Sequence, residues 1–206
     1  MPEIVKRRIT MVKRQWGEKK ISSGDLTRKN VILYGFMGVG KSTLGKLLAS
    51  RLGREFIDTD ARIVELTGKT IPQIFAQDGE AYFRKMESQL VKELTGQEKL
   101  VIATGGGMVV NPVNAALLQQ NGVFVYLAAS TEVIYRRVKH KDDRPLLNQA
   151  DDRLEQIKKL FTARKEIYDN LAGFMVDTGQ NTPEEAVELI IAYLQNRGEF
   201  QYFHNK

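Results

Sequence analysis

The run Val31-Ile32-Leu33-Tyr34-Gly35-Phe36-Met37-Gly38-Val39-Gly40-Lys41-Ser42-Thr43 constrains this chain more than any other stretch. A short apolar segment opens into glycines and then into a segment with Leu44, Leu47, Leu48 and Leu52 at helical spacing. Gly35, Gly40, Lys41 and Ser42 fill the positions of G-x-x-x-x-G-K-[ST], with the strand before and the helix after that a phosphate-binding loop requires. Each residue type has a physical reason to be there. Glycines let backbone N–H groups wrap a phosphate with no Cβ in the way, the helix starting near Lys41 adds its positive end, and the lysine supplies a point charge. The Ser42 hydroxyl is placed to ligate Mg²⁺ carried by the nucleotide. Gly38, Val39, Gly40, Lys41, Ser42 and Thr43 are therefore the expected nucleotide-binding residues, and the open question is what receives the phosphate.

Composition narrows the rest. A chain of 206 residues suffices for one well-buried core. With no cysteine there are no disulfides, thiolate metal sites or thiol nucleophiles, and two histidines leave little for a zinc site, so Mg²⁺ is the expected metal. No apolar stretch approaches the roughly 20 residues that span a bilayer, and the first residues lack the apolar core of a secretory signal. The expectation is a cytoplasmic protein with no membrane partner. The formal net charge of +6 is carried by residues 1–30, where nine Lys/Arg stand against Glu3, Glu18 and Asp25, and the remaining chain is formally neutral. The charge thus describes a short arm and not a nucleic-acid-binding domain. The expected layout is a basic extension over 1–29 containing the linker-like Ser22-Ser23-Gly24-Asp25, one domain over 30–197, and a tail over 198–206.

After the phosphate loop and its helix, ended by Gly53, Glu55-Phe56-Ile57 makes a second strand running into Asp58-Thr59-Asp60. Two carboxylates at a strand's C-terminal end lie where open α/β sheets bind ligands. Asp60 also suits the N-cap of a helix over Ala61 to Leu66, while Asp58 is harder to explain structurally. Thr70 is a plausible cap for a short helix, and a long helix after Asp78-Gly79-Glu80 carries an inward stripe of Phe83, Met86, Leu90 and Leu94, with Arg84 just off it. Leu100 to Ala103 is a third strand running into Thr104-Gly105-Gly106-Gly107, more glycines than a turn needs. Asn111-Pro112 starts a helix, Gly122 to Leu127 is a fourth strand, and Ser130 caps the helix bearing Arg136 and Arg137. His140 to Asp152 is polar, contains Arg144-Pro145-Leu146-Leu147, and reads as a lid. A further amphipathic helix carries Arg164, Phe174-Met175-Val176 is a fifth strand, and Thr182-Pro183-Glu184-Glu185 is a capping box opening the last helix. Strands alternating with helices imply a parallel α/β sheet covered on both faces.

Taken together, Asp58-Thr59-Asp60, Gly79-Glu80 with Phe83-Arg84, Gly105-Gly106-Gly107, Arg144-Pro145-Leu146-Leu147 and Arg164 resemble the shikimate kinases, small phosphate-loop enzymes of the nucleoside-monophosphate-kinase fold. The similarity runs from about Asn30 to Leu194. It implies a five-stranded parallel sheet of order 2-3-1-4-5 and ATP-dependent phosphorylation of the 3-hydroxyl of shikimate, in aromatic amino-acid biosynthesis; a monomer is the expected state. By the same resemblance Lys41 and Arg144 are the cations on the β- and γ-phosphates, and Ser42 holds Mg²⁺ directly with Asp58 acting through its water shell. Asp60 hydrogen-bonds the acceptor hydroxyls and draws off the proton. Arg84, Arg164 and the N–H groups of the Gly105-Gly106-Gly107 loop hold the substrate carboxylate, and Arg137 lies near the adenine. Where the family usually has R-x-P-L-Y, this chain has Arg164-Lys165-Glu166-Ile167-Tyr168.

Two other readings share the phosphate loop. One is another small-molecule kinase of the same fold, for gluconate or a nucleotide; the other is a non-catalytic module that senses ATP or shikimate. A sensor has no need of Lys41, Ser42, Asp58, Asp60 and Arg144 together. No Asn-Lys-x-Asp sequence is present to read guanine.

Overall fold

In the computed structural model the described residues are 28–139 and 153–196. The basic extension up to residue 27, the 140–152 loop with His140 and Arg144, and the residues from 197 onward lie outside the described residues. Within them, the apolar runs expected to be strands are strands: β1 (Asn30–Tyr34), β2 (Glu55–Asp58), β3 (Leu100–Ala103), β4 (Gly122–Ala128) and β5 (Phe174–Asp177). They form one five-stranded sheet in the order β2-β3-β1-β4-β5, with every neighbouring pair parallel. β1 and β3 are buried along their whole length, as central parallel strands covered on both faces must be. The edge strands β2 and β5 are only partly covered.

The helices are α1 (Lys41–Leu52), α2 (Thr59–Thr67), α3 (Ile71–Gln77), α4 (Gly79–Thr95), α5 (Pro112–Gln120), α6 (Thr131–Val138), α7 (Arg153–Leu171) and α8 (Pro183–Asn196), with one 3-10 turn over Met108–Val110. Their starts follow the expected caps. The Thr70 hydroxyl and the Gln73 side chain complete a capping box on α3, Asn111 accepts from the N–H of Val113 at 2.9 Å, and Ser130 accepts from Val133. Thr182 and Glu185 bond each other's backbone N–H at the start of α8. Gly53 ends α1 in the left-handed region that glycine enters without strain.

Two local expectations need correction. The N-cap of the helix after β2 is Asp58 and not Asp60: Asp58 is extended at φ −98° and ψ 116°, and its Oδ1 accepts from the N–H groups of Asp60 and Ala61. Asp60 therefore sits inside the first turn, with its carboxylate released from capping duty. On α4 the fully buried positions are Phe83, Glu87, Leu90, Val91 and Leu94, so a glutamate takes the place in the stripe where Met86 was expected. Met86 is half-buried beside it.

At the N-terminal edge of the sheet, buried Asn30 ties three connections together. Its amide donates to Gln97 O at 2.9 Å, its Oδ1 accepts from Leu100 N–H at 2.8 Å, and its own N–H donates to Asn121 O. The opposite edge, at the strands' C-terminal ends, is left for the site.

Candidate active site

β1 ends at Tyr34 and the chain turns through Gly35 at φ 140° into the phosphate loop. A Cβ on Gly35 would stand 2.3 Å from the carbonyl oxygen of Leu127, so the turn passes closer to β4 than any side chain allows. α1 then starts at Lys41 with no side-chain cap on its first N–H groups, and these face a cavity of about 460 Å³. An uncapped helix start beside glycine N–H groups is a site for anionic oxygen. The Lys41 ammonium donates to the carbonyls of Gly35 and Phe36 at 2.9 and 2.8 Å, which holds its charge over the loop.

All six expected nucleotide-binding loop residues, Gly38 to Thr43, line this cavity together with Asp58, Asp60, Thr104, Gly106 and Arg137. Asp58 and Ser42 meet across it, the Ser42 hydroxyl donating to Asp58 Oδ2 at 2.5 Å. A hydroxyl and a carboxylate oxygen side by side at the phosphate end suit Mg²⁺, a hard cation that takes one or two protein oxygens and keeps several waters. Among the described residues no cluster of three or more His, Cys, Asp or Glu offers a separate metal cage.

On the far side of the cavity, Asp60 and the glycine loop come together. A Cβ on Gly105 would lie 2.4 Å from Asp60 Oδ1 and 3.1 Å from Glu87 Oε1. The loop is held in this place by buried Thr59, whose hydroxyl accepts the N–H of Gly105 at 2.8 Å. Arg84 approaches from α4: its Nη1 stands 2.4 Å from where a Cβ on Gly107 would be. Arg164 approaches from α7, with Nη1 3.7 Å from the corresponding position on Gly106 and its guanidinium 6.0 Å over the Phe36 ring. Two guanidinium groups thus flank the same glycines, although neither is part of the cavity wall itself.

Arg84 is oriented by two glutamates. It donates to Glu80 Oε1 from Nε and Nη2, at 3.1 and 2.7 Å, and to Glu87 Oε2 from Nη1 at 2.7 Å. The Glu87 side chain is 1% exposed and its Oε1 has no hydrogen-bond donor. Burial pushes its carboxyl above the ordinary range, and the Arg84 guanidinium opposes the rise without cancelling it.

At the nucleotide end Arg137 does more than line the cavity. It donates to Gly38 O at 3.3 Å and to Thr178 Oγ1 and O at 3.0 and 2.7 Å, joining the phosphate loop to the turn after β5. That turn and the start of α8 supply Thr178, Asn181, Thr182, Pro183 and Ala186 to the wall, none of which the sequence had suggested as site residues. The capping box there was visible, but its nearness to the phosphate loop follows from β5 lying beside β4. Glu87 and Thr59 were missed for a related reason: each is a polar side chain within an otherwise ordinary helical pattern.

A parallel sheet of this order, with a phosphate loop after β1 and an aspartate at the end of β2, defines a phosphate-loop kinase of small molecules. The comparisons narrow the class. A family model described as shikimate kinase matches residues 37–195. The shikimate kinase of Pelotomaculum thermopropionicum is 55% identical over 167 residues, covering 81% of this chain and 96% of that protein. That of Desulforudis audaxviator is 46% identical over 170 residues, covering 82% and 88%. The structure of shikimate kinase from Acinetobacter baumannii in complex with shikimate superposes with a TM-score of 0.79 at 36% identity, covering 85% of this chain and 97% of that one. A gluconokinase from Sinorhizobium meliloti, 17% identical with a TM-score of 0.55, shares the fold alone. The chain belongs to the shikimate kinase family.

Proposed function

We propose which residues carry each part of the reaction of this kinase, the ATP-dependent phosphorylation of shikimate at its 3-hydroxyl to give shikimate 3-phosphate and ADP, within aromatic amino-acid biosynthesis. The observation that carries the reading is the placement of Asp60 on the cavity wall, opposite the phosphate loop and against Gly105. Phosphoryl transfer asks little covalent work of the protein; positioning and charge neutralisation dominate. Gly38 to Thr43 cradle the phosphates with N–H groups and the start of α1, and Lys41 places its charge on the β- and γ-phosphates. Mg²⁺ would supply positive charge to offset that of the phosphates, and Ser42 would hold it directly with Asp58 acting through water. Asp60, relieved of capping by Asp58, hydrogen-bonds the acceptor hydroxyl and takes its proton as the phosphoryl group moves.

The acceptor's carboxylate is held by Arg84, Arg164 and the N–H groups of Gly106 and Gly107, while the N–H of Gly105 is taken by the Thr59 hydroxyl and fixes the loop. A planar guanidinium matches a carboxylate bidentately, which selects an acid over a merely hydroxylated ring. Arg137 positions the nucleotide end. Arg144, outside the described residues, takes the second phosphate cation's role on the strength of the family resemblance. The working unit is residues 30–197, with 140–152 as its lid, in a cytoplasmic monomer with no nucleic-acid or membrane partner, and residues 1–29 and 198–206 lie outside it. No helix among the described residues is long and apolar enough to cross a membrane.

Steady-state turnover with ATP and shikimate, set beside shikimate amide as acceptor, tests the reading. The acid is expected to be phosphorylated and the amide to be a poor substrate. Equal rates on both would remove the carboxylate clamp, and no turnover on either would leave a nucleotide-binding module.

A further inference from the structure

One buried group takes no part in the assignments above. Tyr168, on α7 one turn after Arg164, is wholly buried, yet its hydroxyl does not end in an apolar contact. It donates to the carbonyl of Gly106 at 2.5 Å, and Arg164 Nη1 lies 3.7 Å from where a Cβ on that glycine would be. The residue's backbone is anchored as well: Tyr168 O accepts from the Tyr34 hydroxyl at 2.9 Å, and Tyr34 is the last residue of β1 before the phosphate loop. The ring packs against Tyr34 and Tyr126, with centroids 6.1 and 5.7 Å away. Three pieces of the site therefore converge on one side chain: the end of β1, the glycine loop and the helix bearing Arg164.

We propose that Tyr168 is a positioning residue for the acceptor's carboxylate, its hydroxyl fixing the Gly106 peptide against the helix that carries Arg164 so that both address the same anion. The proposal rests on the reading of Arg164 as a carboxylate holder. The physical argument is one of register. Gly106 lies on a loop and Arg164 has a long flexible side chain, so neither defines where the other points. The Tyr168 hydroxyl bonds the Gly106 carbonyl from one turn after Arg164 on the same helix, and so joins the loop to the element that carries the guanidinium. Holding the carbonyl of Gly106 also fixes the plane of the peptide that ends in the Gly107 N–H, so one bond orients a donor for the substrate. Preorganisation of this kind acts on the acceptor and leaves the nucleotide side alone.

The experiment is a double-mutant cycle with Tyr168→Phe and Arg164→Lys, following kcat and KM for shikimate and for ATP, with shikimate binding measured by calorimetry and folding by thermal melting. Phenylalanine keeps the ring and its packing and removes only the hydroxyl. Tyr168→Phe is expected to lower kcat/KM for shikimate by on the order of tenfold, mostly through KM, with KM for ATP changed less than about twofold. In the Arg164→Lys background the same change is expected to add less than about a threefold further loss, because the group it positions is already compromised. A merely structural tyrosine predicts the opposite pattern, with a lower melting temperature, multiplicative losses and no preference for shikimate over ATP; that result would overturn the proposal. An unmoved kcat/KM in Arg164→Lys overturns instead the carboxylate reading on which it rests. A loss in Arg164→Lys with none in Tyr168→Phe overturns the Tyr168 assignment alone. Tyr168→His is prepared in parallel, judged by the same criteria, and carries the comparison if the phenylalanine variant does not fold.

Discussion

Asp58 and Ser42 are joined by a 2.5 Å hydrogen bond that ties the end of β2 to the first turn of α1, while the other oxygen of the same carboxylate caps α2. The two neighbouring aspartates thus divide their work. Asp58 caps α2 and accepts from the Ser42 hydroxyl, while Asp60 lines the cavity from within the first turn of that helix.

That division is measurable. Asp60→Asn should lower kcat by about 10²- to 10⁴-fold, the usual contribution of a general base, with ATP affinity and melting temperature nearly unchanged. Asp58→Ala should in addition cost roughly 0.5–2 kcal/mol of stability through the lost cap. Steady-state kinetics with urea titrations on both variants checks this, and a near-normal kcat in Asp60→Asn would end its assignment as the base.

Arg84 has its guanidinium shared among two glutamates and the Gly107 edge of the loop. Lysine cannot reproduce a bidentate contact, so Arg84→Lys should lower kcat/KM for shikimate by about ten- to a hundredfold, with little change for ATP. Kinetics with shikimate varied at saturating ATP reads the effect directly.

Two glycines should fail in different ways when a methyl group is added. In Gly35→Ala the new Cβ meets the backbone oxygen of Leu127 at 2.3 Å at a φ of 140°, so the loss is one of stability, seen as a lower melting temperature. In Gly107→Ala it meets Arg84 Nη1 at 2.4 Å, the end of a side chain that can swing away. That variant should fold normally and show a raised KM for shikimate.

The buried carboxyl of Glu87 makes a pH prediction with a definite sign. Its folded-state pKa is raised by burial, so between the ordinary glutamate value and the folded value the native state binds more protons than the unfolded one. This group therefore favours folding as pH falls through that window and opposes it above. The stability of the unmodified protein relative to Glu87→Gln should decline as pH rises from the ordinary carboxylate range through the folded pKa, then level off. Denaturant midpoints of both proteins across mildly acid to neutral pH provide the test; a difference that does not change with pH would mean that Glu87 is not shifted.

The sheet was legible in the sequence because its strands are continuous apolar runs, and Leu100 to Ala103 came out with its observed bounds. Helix starts were legible at Thr70, Asn111, Ser130 and Thr182, where a single suitable side chain stands at the cap. The phosphate loop and Asp60 were legible because the chemistry is local. What escaped was non-local or masked by pattern. Which of two adjacent aspartates is the cap depends on a backbone angle, and both residue types suit the position. Glu87 falls at a core position that apolar periodicity assigns to its neighbour Met86. Thr178 and Asn181 reach the cavity only because β5 lies beside β4, the neighbour of β1, which brings the turn after β5 to the phosphate loop.

The polarity of the sheet separates chemistry from attachment. β1 begins at Asn30 on the edge stapled by that residue's amide, and α8 starts at the cavity with Pro183 and runs 14 residues away from it, about 21 Å at helical rise. The first and last of the described residues therefore lie on the face opposite substrate entry. A surface or a second protein joined directly at residue 28 or residue 196 would start from that face, away from the mouth of the site.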